Sequence, residues 1–170
     1  MPNALHAALD VDPGYRAAVS AMPTLREAKE IARYRKDYPL NNYGPAEAEV
    51  QAMGLPLSQG QVLFHGGAWP GSAPPSPGMS FVTPSILSTS LCPQVAGVHA
   101  CTDKQRNGAS TSLWMLRVAN GSTTPAFAFN PSRRQTHGHE REILLSKGAL
   151  ITCIGVEMRE TMPLIFADLL

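Results

Sequence analysis

Residues 139–145 read His139-Glu140-Arg141-Glu142-Ile143-Leu144-Leu145, two carboxylates spaced by one residue at the head of an apolar run. The run Glu142 to Leu145 is expected to be a strand, and in extended backbone residues i and i+2 project to the same face. Glu140 and Glu142 are thus expected side by side at a strand edge. Such a pair suits steadying a developing positive charge and accepting a proton, though a solvated strand end carries the same alternation.

Working outward, two more short segments precede it in order, Val62-Leu63-Phe64-His65-Gly66-Gly67 and Leu87-Ser88-Thr89-Ser90, each at the edge of a strand candidate. Further β-rich runs are Ser80 to Val82, Ile86-Leu87, Leu113 to Val118, Ala126 to Phe129, Ala149 to Glu157 and Pro163 to Leu169. Gly, Pro, Ser and Asn clusters punctuate them, and Lys147-Gly148 suits a tight turn. Between the second and third segments, Pro93 to Cys101 reads as a helix with Pro93 in its first turn and Val95, Val98 and His99 or Cys101 on one face. The Gly/Pro/Ser-rich stretch Gly66 to Gly78 is expected to be a long surface loop beside a site.

The first fifty-odd residues have a different texture. Thr24 and Glu27 form a T-x-x-E capping box ahead of a stripe of Leu25, Ala28, Ile31, Ala32 and Tyr34, closed by Pro39. A second helix is expected from Pro45 to Met53, with Gly54 as its stop. Helices followed by many short strands predict an α+β fold, a two-sheet β core with N-terminal helices. We expect one domain over 1–170, mainly helical in 1–58 and β-rich in 59–170.

Taken in order, the three segments resemble the three-part signature of the ADP-ribosyltransferase superfamily. In its arginine-type, toxin-like branch an aromatic-Arg-Gly strand is followed by a Ser-Thr-Ser strand and then by a Glu-x-Glu strand reached through a loop. The likeness spans roughly residues 60–157 and includes the helix after Ser-Thr-Ser and the hairpin after Glu-x-Glu. It implies an NAD-dependent mono-ADP-ribosyltransferase, with NAD as substrate and no metal. Cleaving the nicotinamide–ribose bond leaves an oxocarbenium-like sugar, which a nearby carboxylate stabilises.

By this resemblance Glu142 is the catalytic carboxylate. Ser88 and Thr89 orient it and line the nicotinamide ribose, the Gly66 backbone binds the nicotinamide amide, and Glu140 takes the proton from the incoming nucleophile. The segment Asn130 to His139 holds the place of the target-recognition loop, in which Arg133, Arg134, His137 and His139 suit an anionic surface such as an RNA backbone. His65 departs from the pattern, because arginine-type members carry Arg there. Diphtheria-toxin-like and poly-ADP-ribose-polymerase-like members carry His, paired with tyrosines. Histidine keeps a hydrogen bond to a ribose hydroxyl but not the fixed charge. Leu87 stands where an aromatic often precedes Ser-Thr-Ser, leaving Phe64, Trp69 and Phe81 as stacking candidates, with the core expected to claim Phe64 and Phe81.

Composition bounds these readings. The chain has 170 residues with a formal charge of +1, so no global field marks a nucleic-acid or membrane-surface binder. Cys92, Cys101 and Cys153 lack C-x-x-C spacing and read as small buried hydrophobes, and His137 and His139 lack two further ligands at metal-site spacing. The N-terminus has no basic region ahead of an apolar stretch, and nothing approaches the ~18 apolar residues of a membrane span. The expectation is a bacterial toxin or effector domain delivered without a Sec signal, acting in the target-cell cytoplasm on a protein or RNA, with a cytoplasmic protein as the alternative. It would need no membrane partner, and an immunity protein would guard the producer. The alternatives are an NAD glycohydrolase and a non-catalytic NAD-fold binding module.

Overall fold

The computed structural model describes residues 7–8, 11–13, 16–17, 20, 22, 27–38, 41–71, 73–107, 111–129, 141–160 and 162–170, with the side chains of 103–107 set aside. Ahead of the sheet lie two helices with described bounds, α1 over Lys29–Asp37 and α2 over Gly44–Met53. The start of α1 lies later than the Thr24 capping box implies. Ala28 is its N-cap and offers no side-chain cap, while Thr24 is outside the described residues. The first-turn N–H groups of Glu30 and Ile31 are instead satisfied from α2, both donating to Glu49 Oε2 at 2.9 and 2.8 Å. Pro45 opens α2 as expected, because its missing N–H costs nothing in the first turn.

The strands are β1 (Leu55–Pro56), β2 (Val62–Gly67), β3 (Ser80–Val82), β4 (Leu87–Ser90), β5 (Ser112–Val118), β6 (Pro125–Ala128), β7 (Glu142–Leu145), β8 (Leu150–Arg159) and β9 (Met162–Leu169). Helix α3, Pro93–Asn107, follows β4. The strands form one curled sheet in the order β1-β6-β7-β4-β2-β5-β9-β8-β3. The expected two sheets are its halves, four strands and five, joined by the single pair Phe64↔Ser90 between β2 and β4.

The strand β5 shows why the five-strand half forms. Ser112, Trp114, Leu116 and Val118 alternate inward, while Leu113, Met115 and Arg117 take the other face. It pairs antiparallel with β2 and parallel with β9, which returns along β8 as a hairpin. The main core fills the space between the halves, where Leu63, Trp114, Leu116, Ile151 and Ile165 meet Ile143 and Leu145 of β7. The opposite face of β7 carries Glu142 and Leu144. Leu144 joins a second core with Ile31, Tyr34, Val50 and Phe127, which mounts α1 and α2 on the four-strand half.

Helix α3 packs on β2 through small residues, and its face differs from the one expected. Ala96 and Ala100 are buried, whereas Val98 is 65% exposed and Cys101 lies at the surface. Gly66 makes this approach possible, since a Cβ there would overlap the Ala96 carbonyl oxygen. The loop after β2 does not stay on the surface throughout. Trp69 turns inward against Phe81 and Trp114, with ring centroids 4.9 and 5.1 Å away.

Candidate active site

A cleft of about 260 Å³ opens at the seam between the halves. Its lining brings His65 and Gly66 of β2 together with Ser88, Thr89 and Ser90 of β4 and Glu142 of β7, segments remote in sequence. Helix α1 adds Tyr34 and its C-cap adds Tyr38, while α3 adds Val95, Ala96, His99 and Thr102. The volume lies just below the ~300–1,000 Å³ typical of small-ligand pockets.

Glu142 begins β7 opposite Ser90, which places Ser88 diagonally across on the same face. The Ser88 hydroxyl donates to Glu142 Oε1 at 2.6 Å, the short distance of a hydroxyl on an ionised carboxylate. The Arg35 Nε stands 3.6 Å from Glu142 Oε2, with the two side chains only 10% and 12% exposed. Thr89 borders the cleft, but its hydroxyl donates to the Ile143 carbonyl at 2.7 Å. Ser90 turns its oxygen to the Cys92 N–H, anchoring the first turn of α3.

His65 faces Trp114 across the β2–β5 ladder, their rings 4.6 Å apart. Its Nδ1 lies 2.7 Å from the Ser88 carbonyl oxygen, which can only accept, so Nδ1 carries the proton. In the neutral ring Nε2 is then an acceptor. Gly67 leaves room for this ring, because a Cβ there would stand 2.6 Å from Nε2.

Tyr34 holds its phenol proton firmly. Burial pushes its pKa well above the usual 10.0, and the Glu142 charge pushes it further, with smaller contributions from Tyr38 and Tyr43. The three tyrosines form an edge-to-face group with centroids 5.7 to 6.5 Å apart.

Arg133, Arg134, His137, His139 and Glu140 lie outside the described residues. Arg141 has φ of 48°, in the left-handed region, and β7 starts only at Glu142.

Sequence reasoning missed the helical wall. Arg35 falls four residues after Ile31, a charged residue on the buried face of an amphipathic helix, and that misplacement was its signal. Val95, His99 and Thr102 share a face of α3 at spacings of four and three; the expected helix already groups Val95 with His99, but it ends at Cys101 and its mixed character does not mark that face as a cleft wall. Phe64, expected in the core, lines the cleft.

No protein-family model and no curated protein matches the sequence. Solved structures match by fold. The ADP-ribosyltransferase Vis in complex with agmatine, a toxin from Vibrio splendidus, is 11% identical over 98% of this chain and 83% of its own, with a TM-score of 0.60. C3stau2 from S. aureus, in a structure with NAD, is 11% identical over 91% of this chain and 92% of its own, TM-score 0.59. Plx2a, an ADP-ribosyltransferase toxin from Paenibacillus larvae, is 13% identical over 92% and 90%, TM-score 0.57. The chain is built on the fold of the ADP-ribosyltransferase toxins.

Proposed function

We propose that this protein is an NAD-dependent mono-ADP-ribosyltransferase that moves ADP-ribose from NAD to a macromolecular acceptor, a protein side chain or RNA. The observation that carries the reading is the Ser88–Glu142 hydrogen bond in a cleft shared with His65 and Gly66. The fold alone would not suffice, since folds host unrelated functions.

The residues fit the chemistry. Breaking the nicotinamide–ribose bond builds positive charge on the sugar, and a carboxylate held in place by Ser88 is ready for it without reorganising. Glu142 Oε1 is fixed by the serine, so the carboxylate plane has one preferred orientation toward a ribose hydroxyl. His65 Nε2, an acceptor in the neutral ring, suits a second ribose hydroxyl. The Gly66 backbone lies at the cleft where α3 comes closest, and Phe64 supplies an aromatic surface there. Glu140 as proton acceptor, and Arg133, Arg134, His137 and His139 as acceptor-choosing residues, belong to this proposal. The agmatine bound by Vis makes a guanidino group the first acceptor to try.

We read 1–170 as one catalytic domain, supported by β1 pairing with β6 and by Gly54 at the end of α2, where a Cβ would stand 2.9 Å from the Ala126 nitrogen. Toxin delivery and action in a target-cell cytoplasm are part of the same reading. Among the described residues no helix is long and apolar enough to cross a membrane.

The test is transfer of label from adenylate-labelled NAD into a whole-cell lysate by wild type and Glu142→Ala, with the products split by protease and by ribonuclease. Label lost with Glu142→Ala supports a transferase, and its sensitivity names the acceptor class. Nicotinamide release without labelled polymer means a glycohydrolase. Silence in both assays, with folded protein, overturns the reading in favour of a binding module.

A further inference from the structure

Glu142 is held from two sides, and the side away from Ser88 has no place in the reading so far. Helix α1 turns Ile31, Tyr34 and Arg35 toward the sheet at positions i, i+3 and i+4, and Tyr38 follows as its C-cap in extended backbone. Tyr34 and Tyr38 reach the cleft wall. The Arg35 guanidinium instead lies behind the carboxylate, its Nε 3.6 Å from Glu142 Oε2 and its central carbon 4.4 Å from the Phe129 ring centroid. Arginine stacks on aromatic faces and offers fixed donors to a carboxylate, so one side chain is braced by the ring and aimed at the acid.

A guanidinium 10% exposed is an expensive way to hold a helix on a sheet. An apolar residue at that position would join Ile31, Phe127, Phe129 and Leu144 in the second core at lower cost. The charge makes sense through its partner. A carboxylate 12% exposed is pushed toward its neutral form by burial, and a nearby cation opposes that push. Only the ionised acid can steady a developing sugar cation.

We propose that Arg35 is a positioning residue for Glu142, keeping the carboxylate ionised through an ion pair at its second oxygen while a hydrogen bond from Ser88 holds the first. This rests on the reading of Glu142 as the catalytic acid. Arg35 acts through the glutamate and does not bind the dinucleotide.

Other titratable groups surround the site. Tyr34 comes from α1, Tyr38 from its C-cap, His65 from β2, His99 from α3, and Arg141 precedes Glu142 in the chain. Tyr34 stays a neutral phenol, and His65 faces the Ser88 carbonyl. Replacing Arg35 leaves all of them in place, so a change in the protonation of Glu142 reads the loss of that one charge.

The experiment follows the ¹³C carboxyl resonance of Glu142 through a pH titration without NAD, alongside kcat and KM for nicotinamide release between pH 5 and 9. It uses wild type, Arg35→Gln and Arg35→Lys. In Arg35→Gln the Glu142 midpoint is expected to rise by about one pH unit or more over wild type. The acid limb of kcat moves with it, giving roughly a tenfold loss at low pH that recovers at high pH, while KM for NAD stays within about threefold. Arg35→Lys keeps the charge but loses the fork, so its midpoint stays near wild type while kcat falls a few-fold. Should Arg35→Gln not fold, Arg35→Met, which suits the apolar second core and removes the charge, takes its place, and an unmoved midpoint in it overturns the proposal. An unmoved midpoint in folded Arg35→Gln also overturns it. A KM raised more than tenfold with an unmoved acid limb makes Arg35 a dinucleotide ligand instead. If the wild type does not cleave NAD, the functional reading fails, while the carboxyl titration still decides the Arg35–Glu142 coupling.

Discussion

The two halves of the curled sheet are built differently. In the five-strand half β2, β5, β9 and β8 run in ladders of six or more pairs, and in β5 the side chains alternate between core and outer face. In the four-strand half β1, β6, β7 and β4 pair over two to four residues, yet this half supplies Ser88 and Glu142. Long ladders position their neighbours and tolerate little change, whereas short ones end in loops and leave their terminal residues available for chemistry. The lone Phe64↔Ser90 pair joining the halves lies beside the cleft, so the site sits where regular pairing runs out. Stability and activity are therefore expected to separate.

The strongest break in that comparison is Glu142→Gln. It keeps the volume and removes the charge, so nicotinamide release and transfer should fall about a thousandfold or more, roughly 4 kcal/mol of transition-state stabilisation. The thermal midpoint should fall by no more than a few degrees, the cost of taking the Glu142 charge from the Arg35 guanidinium beside it. An active Glu142→Gln protein, or one that unfolds, means the acid is a structural member of β7.

The five-strand half should respond in the opposite way. Leu116 is fully buried in β5 between β2 and β9, and Leu116→Ala should cost about 3 kcal/mol of stability by leaving a cavity. Activity per folded molecule should stay within about twofold, because the cavity opens in the core and not at the seam. A urea melt and an assay at matched folded concentration check both. Lost activity with normal stability would show that the halves are coupled through the core.

Ser88→Ala sharpens the comparison within the site half. It deletes the hydroxyl 2.6 Å from Glu142 Oε1 and leaves the β4–β7 ladder intact. We expect a ten- to hundredfold loss in kcat, roughly 1.4–2.8 kcal/mol, with little change in stability. The loss should be much smaller in an Arg35→Gln background, since both residues act through one carboxylate and their effects are not additive. Full additivity of the two changes would argue that they serve different groups.

The sequence made these two halves legible to different degrees. Alternation in Leu113 to Val118 and the apolar runs of β8 and β9 marked the ladders directly, because a strand with one buried face writes its period into the chain. The site was legible through order: three weak segments, each on a strand edge, implied a shared cleft, and Ser88 does reach Glu142 across 54 positions. The α1 wall stayed hidden. Arg35 acts on a residue over a hundred positions away, and its only local trace is a charge on an apolar stripe, which reads as an error in amphipathicity. The left-handed Arg141 was equally unreadable, since nothing in Glu-Arg-Glu calls for a positive φ.

The smallest effect concerns the same wall and depends on pH. The Tyr34 pKa is raised above 10.0 in the folded protein, by burial first and by the Glu142 charge second. A group with a raised folded pKa binds its proton more tightly in the folded state, so its stabilising contribution is complete below the unfolded value and lost as pH rises past it. Urea melts at pH 8 and pH 10.5 should therefore show wild type losing stability at the higher pH. Tyr34→Phe keeps the ring in the second core and abolishes the ionisation, so its loss between the same two conditions should be smaller. The remaining tyrosines and lysines titrate in both proteins and cancel in the difference. Equal losses in the two proteins would mean that Tyr34 meets water in solution, and that α1 does not close the cleft beside Glu142.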